Sequence, residues 1–206
     1  MNRCLYVVDP VSRLYTLDPA TASPNLVGPV GITNVTDIAF YGPTLYGVSF
    51  SQFLTLDPDT GLGVAVGGIG FSTNGLAVAA DGTVYGAAAG QLIRINPVTG
   101  AGTLVGNFGG GLTSSGDLAF DSNDVLFGAL NSAGTVVLAR IDRNTGDATT
   151  IGPTGKSTVN GLAFFCCRLY GTSGPGELVD INVATGNATV IGNNTLTHWG
   201  MTARPC

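Results

Sequence analysis

Two carboxylates, one imidazole and one indole are the side chains of this sequence whose types and positions could do chemistry. Asp37 and Asp117 stand where three equivalent segments carry glycine. The pairs at 36–37, 74–75, 116–117, 160–161 and 199–200 read Thr-Asp, Asn-Gly, Gly-Asp, Asn-Gly and Trp-Gly. Two converging Asp side chains could hold a hard cation such as Ca2+, with Asn side chains and backbone carbonyls as further ligands. They could equally form an acid/base pair if burial drove their pKa values apart. The plainer reading is that each carboxylate bonds neighbouring backbone amides at a crossover loop. His198 and Trp199, the only His and the only Trp, adjoin the last pair. The imidazole suits a general base or metal ligand, or a purely structural place. The indole suits stacking on a sugar or packing over a channel mouth. Asn74 and Asn160, beside two of the glycines, complete the candidate ligand-binding set with His198 and Trp199.

Other catalytic patterns fail. There is no Gly-x-Ser-x-Gly elbow and no His-Glu-x-x-His, and a single His leaves a Ser-His-Asp triad unsupported. Residues 152–157 carry part of a phosphate-loop pattern, but position 150 is Thr rather than Gly and no helix is expected to follow. Lys156 is the only Lys, and the net charge is -5, so no basic patch exists for nucleic acid. No apolar run approaches the roughly 20 residues of a membrane-spanning helix.

The elements that must position these residues form a repeat. Leu5-Tyr6, Leu45-Tyr46-Gly47, Val84-Tyr85-Gly86, Leu126-Phe127-Gly128 and Leu169-Tyr170-Gly171 follow one another at steps of 40, 39, 42 and 43. Each is followed by a turn, at Asp18-Pro19, Asp57-Pro58, Asn96-Pro97, Asp142-Arg143 and Asn182-Val183, then by Val-Gly or Ile-Gly. A strand led by Ile38, Leu76, Leu118, Leu162 or Met201 completes the unit. Four short strands at a period near 40, with no helical periodicity, predict an all-β, five-bladed propeller of four-stranded blades over a single domain, 1–206. The turns read as structural, because a catalytic residue is not needed five times and Asp, Asn and Gly are turn residues. Gly109-Gly110-Gly111 and Asn131–Gly134 read as loop insertions.

The phase of the repeat predicts that a strand near Gly200–Ala203 completes the first blade and closes the ring. Cys4 and Cys206 would then flank the turn of an uninterrupted chain, so a Cys4–Cys206 disulfide is expected there. The adjacent Cys166 and Cys167 form either a strained vicinal disulfide or two thiols. Paired cysteines imply an oxidising compartment. The chain runs from Met1-Asn2-Arg3 straight into strand-like sequence without a signal peptide. The expected setting is extracellular, periplasmic or cell-surface, as a mature domain of an exported precursor. Sequons begin at Asn34, Asn187 and Asn193.

On these motifs the chain resembles a family of small exported bacterial repeat proteins, and the resemblance covers almost all of it. Its units are also similar to the quinoprotein blade, of which Asp57, Thr60 and Gly61 match the docking motif. Ala65 stands at that motif's Trp position and Thr150 in the fourth unit, so a quinone cofactor is not expected. The resemblance implies a propeller and names no activity. The functional expectation is a non-enzymatic binding or interaction module for a glycan, protein or small molecule. The alternatives are a metal-assisted hydrolase or lyase using Asp37, Asp117 and His198, and a purely structural domain.

Overall fold

Short segments rich in β-branched and aromatic residues, punctuated by Asp, Asn and Gly turns, favour pleated strands. The computed structural model describes residues 5–204, and all regular elements described are strands. The first blade holds β1 (Leu5–Val8), β2 (Arg13–Leu17) and β3 (Pro24–Pro29). The second holds β4 (Val35–Tyr41), β5 (Thr44–Ser49), β6 (Gln52–Leu56) and β7 (Gly63–Gly68). The third has β8 (Gly75–Val78), β9 (Val84–Ala88), β10 (Gln91–Ile95) and β11 (Gly102–Asn107). The fourth has β12 (Thr113–Phe120), β13 (Leu126–Ser132), β14 (Thr135–Ile141) and β15 (Ala148–Pro153). The fifth has β16 (Gly161–Phe165), β17 (Arg168–Ser173), β18 (Glu177–Ile181) and β19 (Ala188–Asn193). Finally β20 (Gly200–Ala203) pairs antiparallel with β1, from Leu5↔Ala203 to Val8↔Gly200. The first blade is thus β20-β1-β2-β3, the closure that the repeat phase predicts. Cys4 and Cys206 lie outside the described residues.

The innermost strands β4, β8, β12, β16 and β20 contact one another in a ring, which makes the architecture a five-bladed propeller. There is no single core. Five apolar wedges lie between neighbouring sheets, as where Tyr85, Leu92 and Phe108 meet Leu118, Leu130 and Ile141. Full burial of each such side chain contributes about 1.5–3 kcal/mol, so the wedges hold the blades in register.

The repeated Asp/Asn turn is structural. Oδ1 of Asp57 accepts the amides of Asp59 at 2.8 Å and Thr60 at 3.0 Å, and Asn96 and Asn182 do the same for their own turns. The Val-Gly or Ile-Gly glycine has a matching reason. A Cβ on Gly67 would collide with the Thr99 carbonyl of the next blade's turn, and one on Gly192 with that of Thr21. The two most repetitive motifs therefore touch each other across every blade boundary.

Two loops take definite form. Asn131 and Ser132 extend β13, leaving Ala133 and Gly134 as a two-residue hairpin turn, because the insertion lengthens the strands rather than the loop. Cys166 and Cys167 form the β16–β17 turn, both exposed and both at positive φ (46° and 64°). Cys167 is a free thiol, so the two are not bridged to each other. No helix among the described residues is long and apolar enough to cross a membrane.

Candidate functional site

The inner strands present their free edges to the axis, where water has little room and each amide still needs an acceptor. Asp37 and Asp117 supply it. Asp37 accepts the amides of Ile38 at 2.7 Å and of Leu76 at 2.5 Å. Asp117 accepts those of Leu118 at 2.5 Å, Leu162 at 2.6 Å and Met201 at 3.2 Å. These five residues are the lead residues of the five inner strands, so two carboxylates satisfy one amide from every blade.

Local irregularities aim the two side chains. Of the inner hairpins, only β4–β5 and β12–β13 shift register, between Val35 and Asp37 and between Ser114 and Leu118. A bulge re-aims a side chain, and here it turns each Asp inward. The other three blades must leave room. A Cβ on Gly200 would strike Asp37, and one on Gly75 would lie 3.1 Å from the Gly116 carbonyl.

Both carboxyls are fully buried and hydrogen-bonded to each other. Burial pushes Asp37 well above the ordinary carboxylate range, and the neighbouring charge and hydrogen bond of Asp117 push it further. Burial also raises Asp117, to about 7, against the pull of the Asp37 hydrogen bond and its three amides. The two carboxyls therefore resist ionising together, and what proton they keep belongs to the pair rather than to either residue. All four oxygens are engaged by amide N–H groups. That donor set does not fit Ca2+, which would face converging N–H dipoles. No cluster of three His, Cys, Asp or Glu residues suited to a metal occurs among the described residues.

His198 is not part of this pair. Its Nε2 lies 3.1 Å from Asn194 Oδ1, and its Nδ1 is buried without a partner. Burial lowers its pKa to about 4, partly opposed by the charge of Asp9, so the ring is neutral. Asn194 in turn donates to the Ala22 carbonyl at 2.8 Å and accepts the Leu196 amide at 3.0 Å. His198 thus braces the last crossover loop, which carries Trp199 to the axis with its amide on the Val8 carbonyl at 2.8 Å.

Above the carboxylates the axis opens into a cavity of about 150 Å³. Thr36, Asn74, Gly116, Asn160 and Trp199, the five residues just before the inner strands, all line it, joined by Phe50 and Ser115. Asn74, Asn160 and Trp199 are therefore brought together, apart from Asp37, Asp117 and His198. Phe50 and Ser115 were illegible as site residues. Phe50 sits in a hairpin loop and pairs with Trp199 across the sequence, ring centroids 6.3 Å apart at 60°. Below the carboxylates a channel of about 110 Å³ runs between the inner strands, past Ala39, Ala77, Ala119 and Ala163.

Residues 78–202 match the model of a family described as a repeat of unknown function (DUF6923), and the chain belongs to that family. None of the curated proteins compared with the chain matches it. Several solved structures share its fold. One comes from work on the de novo evolutionary emergence of a symmetrical protein, with 17% identity, 100% of both chains covered and a TM-score of 0.68. A chain of a nidogen/laminin complex is 10% identical over 99% of both chains, with a TM-score of 0.70. The PQQ-bound aldose sugar dehydrogenase of Streptomyces coelicolor is 15% identical over 95% of this chain and 78% of that one, with a TM-score of 0.56. At such identities the likeness is one of fold.

Proposed function

We propose that this DUF6923-family propeller is a binding module whose ligand seats at the mouth of the axis. One observation carries the reading: five blades converge on a cavity lined by carboxamides, hydroxyls and an aromatic pair, with no titratable side chain among its lining residues. Such a surface can hold a ligand and lacks an acid, or a base that would activate its hydroxyls, to transform it. The carboxyls beneath are sealed and committed to backbone amides, which speaks against a hydrolase or lyase working through Asp37, Asp117 and His198. The fold does not choose between the classes, since it serves in a laminin complex and in a sugar dehydrogenase alike.

The test is capture of immobilised glycans and surface polymers by the pure protein, compared with Trp199→Ala and the milder Trp199→Phe. Wild-type capture that both variants weaken supports the mouth. Silence across all surfaces, or capture indifferent to both variants, overturns it.

We place the module outside the cytoplasm. The Leu5↔Ala203 pairing draws the ends of the described chain together, which favours a Cys4–Cys206 clasp. Mass spectrometry of unreduced peptides should yield that linked pair; thiols at both positions would remove this argument.

A further inference from the structure

We propose that the mouth takes one neutral sugar ring, stacked against Trp199 and Phe50 and hydrogen-bonded to Ser115 and Asn160. This rests on the binding role proposed above and names the class of ligand for the same cavity.

Size is the first argument. The cavity of about 150 Å³ is open to solvent on one side and seats one ring rather than enclosing a chain of them. Charge is the second. No lining residue is ionisable, and the charged groups near this end of the blades neutralise one another in pairs. Arg13 meets Asp9 at 2.7 Å, and Lys156 meets Glu177 at 2.7 Å. A charged ligand would leave water for a lining that offers it no counter-charge.

The third argument is the pattern of polar groups. Asn160 donates Nδ2 to the His198 carbonyl at 3.2 Å, which fixes its amide and leaves Oδ1 as an acceptor with no described donor. The Ser115 hydroxyl enters no hydrogen bond with a described residue, and so offers both a donor and an acceptor. Thr36 is already committed, its hydroxyl shared between the carbonyls of Val48 at 3.2 Å and Thr73 at 3.1 Å. Asn74 is the adjustable member. Its Oδ1 is buried and unpartnered, so turning its carboxamide to meet a hydroxyl would relieve an unsatisfied group. The same mouth carries Trp199, half-buried, and Phe50, 45% exposed. A ring with hydroxyls at its edge and C–H groups on one face matches that division.

Trp199 is the only Trp in the chain, so its fluorescence reports on this cavity alone. Titration with glucose, galactose, mannose and N-acetylglucosamine should give a saturable change for at least one. Glucuronic acid and glucosamine should give none. Phe50→Ala, at an exposed position, should weaken the response about tenfold, the loss of one aromatic stacking face. Calorimetry on the same variant separates lost binding from lost signal. A response to the charged sugars alone overturns the ligand class and leaves the mouth as the binding site. No response to any sugar, with glycan or polymer capture unchanged in Phe50→Ala, overturns the mouth as well.

Discussion

The two ends of the propeller are built from the same repeat and carry opposite chemistry. At one end the inner strands begin, around Thr36, Asn74, Gly116, Asn160 and Trp199, and the charged groups cancel in the Asp9–Arg13 and Lys156–Glu177 pairs. At the other end lie the Asp/Asn turns, together with Asp81, Asp121 and Asp124 and the arginines Arg94, Arg140, Arg143, Arg168 and Arg204. There the turns repeat faithfully, because each packs on the preceding blade's Gly, and the arginines lie over aromatic rings such as Tyr85, Phe127 and Tyr170. One end repeats a pattern five times over; the other keeps Asn-Gly in two blades and departs from it in three. That difference is why we propose the irregular end, whose lining is uncharged, as the binding mouth.

The sharpest way to break this contrast is to remove an axial carboxylate. Asp117→Ala would orphan the buried amides of Leu118, Leu162 and Met201 and leave Asp37 without its partner. A loss of roughly 3–5 kcal/mol in denaturant unfolding is expected. Asp57→Ala, in an exposed turn at the other end, should lose far less. Equal losses would mean that the axis is no more critical than the turns.

The pair should also make stability fall as pH rises. Both folded pKa values lie above the unfolded ones, so the contribution is full below about pH 4. It is lost as pH climbs through the raised values, about 7 for Asp117. Thermal unfolding across pH 4–9 should show this decline, and Asp37→Asn should flatten it.

His198 works in the other direction. Its folded pKa is depressed to about 4, so its contribution is present above the unfolded value near 6.5 and lost as pH falls through 4. At about 1.4 kcal/mol per unit this is roughly 3 kcal/mol. His198→Gln should remove this acid limb while leaving the alkaline decline intact. The smallest effect on stability belongs to Ser115→Asp, expected within about 0.5 kcal/mol. It should nonetheless impair capture of a neutral ligand, because it places a charge in the uncharged mouth.

The blades were legible because their signals are local. The Leu-Tyr-Gly strand, the Asp/Asn turn and the Gly after Val or Ile each act within a few residues, and repetition averages out the exceptions. The substitution of Asp for Gly at 37 and 117 was legible too, as was the gathering of Asn74, Asn160 and Trp199. Their meanings were not. Whether a carboxylate binds a cation, works as an acid or accepts amides depends on what faces it from segments about 40 residues away. Phe50 and Ser115 belong to loops without a shared motif, and His198 is turned aside by its contact with Asn194.

Sequence alone determined the all-β architecture, the five blades and the closing strand, since periodic turn and core chemistry leaves little else for such a chain to form. Tertiary structure decided that Asp37 and Asp117 meet as one buried pair and take up five amides, that His198 is a neutral brace, and that no ionisable residue lines the open mouth. Those properties arise only when blades distant in sequence meet at an axis from which water is excluded.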